Sequence, residues 1–284
     1  MKKQVPENPS VPYWNTYILP TFLVVVFFLV FYPTWKGLFN AWSSSDDYSH
    51  GFLIVPLCLY LLWQKREDLK QASIKPSWVA FPLVLLSLFL YVVAQYAEVL
   101  TLAPLAMILF LSSSTVFLFG VQIFKVCLFP LFLLLFMVPV PAQIYAALTI
   151  PLQLFVTKMT VFISSLIGIP ILREGNVISL PEHTLQVVQA CSGLRSIMSL
   201  LTLGVVIGYF GLKSSLLRAV LFVSAVPIAI LVNIVRVLLM VIAFYYFNFD
   251  LAEGTIHTAF GAGIFGLSIV LFLLFRKVLV LCEK

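Results

Sequence analysis

Charge is what this 284-residue chain has least of: 10% of its residues are Asp, Glu, Lys or Arg, against 62% hydrophobic. A soluble domain carries about 25% charged residues. The composition therefore excludes a disordered chain, a soluble globular enzyme and a nucleic-acid reader, although the pI is near 9.1. Cysteine is also sparse. The four cysteines, at positions 58, 127, 191 and 282, have neither CxxC nor ligand spacing. That argues against a disulfide framework or a zinc site, so no metal and no cofactor is expected. No internal repeat is visible, and no inverted pair of broken helices of the kind that marks secondary transporters. No small-x-small cleavage site follows the first apolar run, so that run is expected to stay in place as an anchor. What remains is a mean hydropathy of +1.10 and a series of long apolar stretches. The expected class is an all-α polytopic membrane protein with lipid as its surroundings and no nucleic-acid partner.

A membrane-crossing helix needs about 20 mostly apolar residues. Candidate spans run at 16–31, 51–63, 78–96, 100–119, 124–138, 196–210, 218–247 and 256–275. The stretch 144–169 is apolar but interrupted by Pro151, Gln153 and Lys158. Placing both termini in the cytoplasm puts 12 of the 17 Lys and Arg residues there, including Lys65, Arg66, Arg218 and Arg276, with 7 of the 11 acids opposite. Basic residues near span ends set orientation, so this arrangement is preferred. It requires 144–169 to cross an even number of times, as a surface-lying or re-entrant segment. The expectation is eight spans in a single integral-membrane domain over 1–284, with no fused soluble C-terminal domain.

Polar groups inside or beside spans carry the information, because burying them in lipid is costly. Four places stand out, all on the outer side. Asp46-Asp47-Tyr48-Ser49-His50 opens the second span; it reads as a helix N-cap with acid at the positive dipole end, or as a substrate contact. Residues 169–196 hold two short β-leaning runs, 176–180 and 184–188, around Pro181-Glu182-His183. They suggest a small extracytoplasmic hairpin that delivers Cys191 to a helix mouth near Ser192, where N–H dipoles favour thiolate. Gly193 beside it permits close backbone approach. The alternative is a buried structural cysteine. Asn233 and Arg236 share one face of a long apolar run. Counted from Arg218 at a rise of about 1.5 Å per residue, Arg236 stands about 27 Å up the helix, near the outer half. Snorkelling to the interface is the competing account. His257, at the outer start of the last span, is level with Cys191 and Arg236. Cys58, Cys127 and Cys282 have no polar neighbours in sequence and read as inert. A thiol, an imidazole to move its proton and a cation to hold an oxyanion together make an acyl-transfer site.

At these residues the sequence resembles the exosortase/archaeosortase family. The resemblance rests on Ala190-Cys191-Ser192-Gly193-Leu194-Arg195-Ser196, on Asn233-x-x-Arg236, and on His257 with Gly261. Asp47-Tyr48-Ser49-His50-Gly51, the Tyr60-Leu61-x-Trp63 helix ending in Arg66, and the run from Arg173 to Pro181 support it. The resemblance implies a membrane-embedded cysteine transpeptidase with sortase-like chemistry on an unrelated fold. Cys191 would be the nucleophile, Arg236 the stabiliser of oxyanion or substrate, and His257 the acid/base. Asn233, Ser192, Gly193, Arg195, His50, Asp47 and Tyr48 would support catalysis or bind substrate. Implied partners are exported proteins with a C-terminal sorting signal (a motif often containing Pro-Glu-Pro, a transmembrane helix, a basic tail) and an unidentified surface acceptor. His257 points to the bacterial branch, since archaeal members commonly carry Arg there. The implied setting is the inner membrane of a bacterium with the site facing the periplasm.

Two other classes fit parts of the sequence. A transporter or assembly subunit for exopolysaccharide export would use Arg236 and the outer acids as a solute path, with Cys191 as packing. A lipid-linked sugar transferase would use Asp46 and Asp47 as catalytic carboxylates.

Overall fold

A computed structural model describes residues 13–181, 184–187, 193–251 and 254–283 of the chain. Among the described residues six helices are long and apolar enough to cross a membrane, or seven if one bent pair is a single span. The all-α, multi-pass class expected from the sequence is what the chain adopts, with fewer full-length helices than the eight spans expected. Proline and length account for the difference. Helices α1 (Tyr13–Val30) and α2 (Tyr32–Ser44) meet at 65°. There Pro33 lacks the N–H that would continue the ladder to Leu29. The second and fifth expected spans are α3 (Gly51–Gln64, 14 residues) and α7 (Val121–Leu133, 13 residues), which contain Pro56 and Pro130. Each reaches only about 20 Å at the helical rise, short of a hydrocarbon layer of about 30 Å.

The chain divides into two compact units, Met1–Ser44 with Lys65–Cys127 and Ser45–Gln64 with Leu128–Lys284. In the first, α2 and the pair α5 (Phe81–Tyr96) and α6 (Leu102–Phe119) pack together, with the short α4 (Arg66–Gln71) preceding them. Phe31, 1% exposed, fills the α1/α2 bend among Phe27, Tyr91 and Phe110. The Tyr91 hydroxyl donates to the Val30 carbonyl at 2.8 Å, and the Gln95 amide donates to Thr34 Oγ1 at 3.3 Å. A bend inside an apolar unit is thus held by side-chain donors on a neighbouring helix.

The second unit carries the candidate chemistry. Its frame is α9 (Leu194–Gly211), α10 (Ser215–Phe247) and α11 (Gly254–Cys282). A tight link makes α9 and α10 antiparallel: the Arg218 Nε donates to the Leu212 carbonyl at 2.8 Å, and its guanidinium stands 5.7 Å from the Tyr209 ring centre. Helix α11 returns alongside, and the Glu283 carboxylate at its end accepts from the Lys213 and Ser214 N–H groups at the positive start of α10. Buried apolar side chains including Leu200, Leu221, Ala225 and Phe272 pack the three helices against one another.

Helix α8 (Ala142–Leu166) is one unbroken element of 25 residues where the sequence suggested a surface-lying or re-entrant stretch. Two of its polar side chains are satisfied on the helix itself: the Thr149 and Thr157 hydroxyls donate to the Tyr145 and Gln153 carbonyls at 2.8 and 2.7 Å. The apolar remainder keeps its period. It runs in the same direction as α10, with Tyr145 in the cluster of Ala225 and Ala229 and Val156 in that of Val237 and Met240.

Beyond it lies an antiparallel sheet of order β1-β2-β3 formed by Leu172–Glu174, Val177–Ser179 and Thr184–Gln186. The expected hairpin is β2 and β3, in register Ile178 with Leu185. The additional strand β1 joins β2 through Gly175-Asn176, a two-residue turn whose Gly175 has φ +63°. Ile178 and Leu185, 0% and 4% exposed, face the C-terminal part of α10 at Val237, Val241 and Phe244. The sheet is therefore anchored by its apolar face, and its last strand leads toward the start of α9.

Candidate active site

Arg236 and His257 meet. Arg236 Nη2 lies 3.0 Å from His257 Nε2, joining α10 to α11, and His257 Nδ1 lies 3.0 Å from the Leu251 carbonyl. A guanidinium only donates and a carbonyl only accepts. The imidazole tautomer that satisfies both contacts is neutral, with its proton on Nδ1 and its Nε2 lone pair toward Arg236. Helix spacing makes the approach possible: a Cβ on Gly261 would stand 3.2 Å from Arg236 Nη2. The glycine one turn beyond His257 is what lets the guanidinium lie against α11.

Asn233, 4% exposed, sits one turn before Arg236 and meets the start of α9. Gly193 precedes α9 in the left-handed region, φ +83°, and a Cβ there would lie 3.0 Å from Asn233 Cγ. Only glycine takes this conformation at low cost and leaves room for the carboxamide. The structure thus brings Gly193, Asn233, Arg236 and His257 together, whereas the expected convergence includes Cys191. Cys191 and Ser192, and with them Glu182 and His183, lie outside the described residues.

The expected supporting residues form a second group in the same unit. Arg195, on the first turn of α9, donates from Nε to Asp47 Oδ1 at 2.7 Å and from Nη1 to Asp46 Oδ2 at 3.2 Å. Tyr145 donates its hydroxyl to the other Asp47 oxygen at 2.7 Å. Tyr48 donates to the Val140 carbonyl at 3.3 Å, and His50 Nε2 stands 3.1 Å from the Phe136 carbonyl, which fixes its proton on Nε2. Burial pushes the His50 pKa down, against weaker opposing pulls from the Phe136 and Asp47 backbone and the Asp47 charge. Burial, then the neighbouring Asp47 charge, raises that of Tyr48. The Asp47–His50 segment is more than a helix cap: its side chains tie α3 to the entry of α8 and the start of α9. Sequence reading passed over Tyr145 and the Phe136 and Val140 carbonyls. The one available signal was the Pro139-Val140-Pro141 break, which frees carbonyls from helical pairing.

Other features lie apart from these groups. Cys58 Sγ donates to the Pro130 carbonyl at 3.3 Å and is buried. A pocket of about 260 Å³ lined by Phe129, Phe132, Val205, Tyr209, Arg218 and Phe222 is at the opposite end of α10 from Arg236. It is apolar apart from Arg218 and has no acid–base pair. Among the described residues no three His, Cys, Asp or Glu side chains gather as a metal site would require.

A multi-pass helical membrane protein with an Arg–His pair bridging two of its long helices, next to a left-handed glycine at the mouth of a third, is the class that the geometry defines. The family model described as transmembrane exosortase matches residues 42–274, and the chain belongs to that family. No curated protein and no solved structure matches it.

Proposed function

We propose that the protein is a membrane cysteine transpeptidase of the sortase type, acting on exported proteins that end in a motif, a transmembrane helix and a basic tail. Cys191 is the nucleophile. The observation that carries the reading is the 3.0 Å contact of Arg236 with His257, one turn above the Asn233 that packs on Gly193. Cys191 stands two positions before Gly193 in sequence, with Ser192 between them, and two residues of chain span at most about 7 Å. That closeness in sequence supports Cys191 as the nucleophile that works with the pair.

In this reaction His257 takes the thiol proton and the Cys191 thiolate attacks the carbonyl of the sorting motif. The Arg236 guanidinium holds the resulting oxyanion, a contribution of about 3–4 kcal/mol in comparable sites. The C–N bond then breaks, and the departing amine takes the proton from His257 as the thioester forms. An acceptor nucleophile attacks the thioester, gives up its proton to His257 and restores the thiol. The acceptor is a surface molecule, or water if the enzyme acts as a protease. The neutral, Nδ1-protonated imidazole suits the first step, since its Nε2 lone pair is the one that receives a proton.

Depth supports the same reading. Eighteen residues separate Arg218 from Arg236 and nineteen separate His257 from Arg276, about 27 and 28 Å of helix. These lengths are close to one hydrocarbon layer of about 30 Å. The pair then lies at one lip of the bilayer and the basic cluster at the other, which by the positive-inside rule is cytoplasmic. The site faces the periplasm of the inner membrane. The test is Cys191→Ala and Cys191→Ser in the full chain, co-expressed with a tailed substrate. Full-length substrate is expected to accumulate in the membrane while the variant enzymes are present at wild-type level. Normal processing by either variant would refute the proposal and favour a transport role.

A further inference from the structure

We propose that Asp47 is a positioning residue for the nucleophile: through Arg195 and Tyr145 it sets the first turn of α9 against α10, and with it the segment that carries Cys191. This rests on the transpeptidase reading above.

Asp47 lies 148 residues from Arg195 and 98 from Tyr145 in sequence, yet each of its carboxylate oxygens receives one of them at 2.7 Å. Arg195 is the second residue of α9, and its predecessor by two, Gly193, is the point at which α9 meets Asn233. A helix end with no side-chain cap frays easily, and Gly193 provides none. The Arg195–Asp47 bond supplies the missing restraint from outside the helix. It fixes the rotation of the first turn, and Cys191 stands four positions before Arg195 in sequence. The restraint is itself anchored. The Asp47 N–H donates to Ser45 Oγ at 3.3 Å, and the flanking Tyr48 and His50 are tied to the Val140 and Phe136 carbonyls.

Exposure decides which acid does this. The Asp46 side chain is 81% exposed and that of Asp47 17%. An exposed ion pair is worth little, whereas a sheltered carboxylate that accepts two charge-assisted or phenolic hydrogen bonds is a fixed point. The two adjacent acids therefore have different expected outcomes, which a general electrostatic effect on the site would not produce.

The experiment measures substrate processing and the alkylation rate of Cys191 by iodoacetamide, read at that peptide by mass spectrometry. Asp46→Asn, Asp47→Asn, Tyr145→Phe and the pair Asp47→Asn/Arg195→Gln are compared in membranes. Asp47→Asn is expected to lower kcat tenfold or more with KM within twofold, and to change the Cys191 alkylation rate at least fivefold. Asp46→Asn should stay within twofold on every readout, Tyr145→Phe should fall between them, and the double variant should be no worse than Asp47→Asn alone. A rise in KM at constant kcat would overturn positioning in favour of substrate contact. Equal effects of Asp46→Asn and Asp47→Asn would also overturn it, as would additive losses in the double variant. If Asp47→Asn abolishes folding, Tyr145→Phe, which leaves the ion pair in place, decides on the same readouts. Alkylation does not require turnover. A wild-type enzyme that fails to process the substrate counts against the transpeptidase reading alone, while an unchanged alkylation rate in Asp47→Asn counts against positioning alone.

Discussion

Gly193→Ala puts the site geometry at its sharpest risk. Two costs arise at one atom. An L-residue at φ +83° pays about 1–2 kcal/mol relative to glycine. Its Cβ, 3.0 Å from Asn233 Cγ and 3.1 Å from Asn233 Nδ2, adds about 1–3 kcal/mol of overpacking against a buried side chain. The low end of the sum, about 2 kcal/mol, corresponds to a roughly 30-fold change in a rate or population. The chain can relieve the strain by letting the start of α9 drift from α10, so the damage is expected in processing more than in unfolding. The assay is kcat/KM on a tailed substrate in membranes beside the thermal midpoint in detergent. Gly193→Ala should lower kcat/KM at least 30-fold and the midpoint by a few degrees. Gly263→Ala is the control: its Cβ would meet nothing within 4 Å, and alanine is the better helix former by about 1 kcal/mol. That variant should be as active as wild type and equally or more stable. Wild-type kinetics for Gly193→Ala would refute the claim that the α9–α10 approach at this residue shapes the site.

The Arg236–His257 contact predicts that Arg236→Ala and His257→Ala each lower kcat by about a hundredfold or more, the loss typical of an oxyanion donor or acid–base group. The double variant should be little worse than either, and single-turnover rates check both. Arg236→Lys should not restore activity, because a single ammonium cannot replace the planar donor set. His50 gives a pH signature. Its folded pKa is depressed by burial below the unfolded value near 6.5, so its contribution to stability is complete above about pH 6.5 and is lost as the pH falls below that. Thermal midpoints between pH 7.5 and 5 should fall less steeply in His50→Gln than in wild type. Finally, α8 rises beside the outer part of α10 from the level of Asp47. Lys158→Cys is therefore expected to react with a membrane-impermeant maleimide added from the periplasmic side. Labelling only from the cytoplasm would refute this placement.

Composition and helical rise made much of this legible in advance. Arg236 and Asn233 stand out because polar groups in an apolar run are costly there, and counting from Arg218 brought them level with His257 without any tertiary information. The Asp47–Arg195–Tyr145 group was not legible as a unit. Its outermost members are 148 residues apart, and a tyrosine near the start of an apolar helix looks like any interfacial aromatic. Helix length was hard to read for a related reason. Hydropathy marks α3 and α7 as apolar but does not state where Pro56 and Pro130 leave the ladder short. Nor does it reveal that Thr149 and Thr157 in α8 satisfy their hydroxyls on their own helix, so that a stretch read as interrupted is continuous. The β-leaning runs around Pro181 were legible as β2 and β3, whereas β1 carries too little alternation to read and was recoverable only from the Gly175-Asn176 turn that follows it.

Three helices measure the same distance independently. From Arg195 to Leu212, from Arg218 to Arg236 and from His257 to Arg276 the chain advances 17, 18 and 19 residues, about 26–28 Å in each case. Their ends are tied to one another: Arg218 to the Leu212 carbonyl and Glu283 to the start of α10 at one end, Arg236 to His257 at the other. Such agreement follows if each polar end is held in an interface and each apolar middle in lipid, since a helix longer or shorter than its neighbours would drag a charge into hydrocarbon. A substrate whose own transmembrane helix lies in the same bilayer obeys the same ruler. On the proposed transpeptidase reading, its scissile bond, just outside that helix, would arrive at the depth of Arg236 and His257 before any side chain recognised it. Specificity for a membrane-anchored tail would then be largely a matter of height, leaving residues at that layer the smaller task of choosing among sequences presented there.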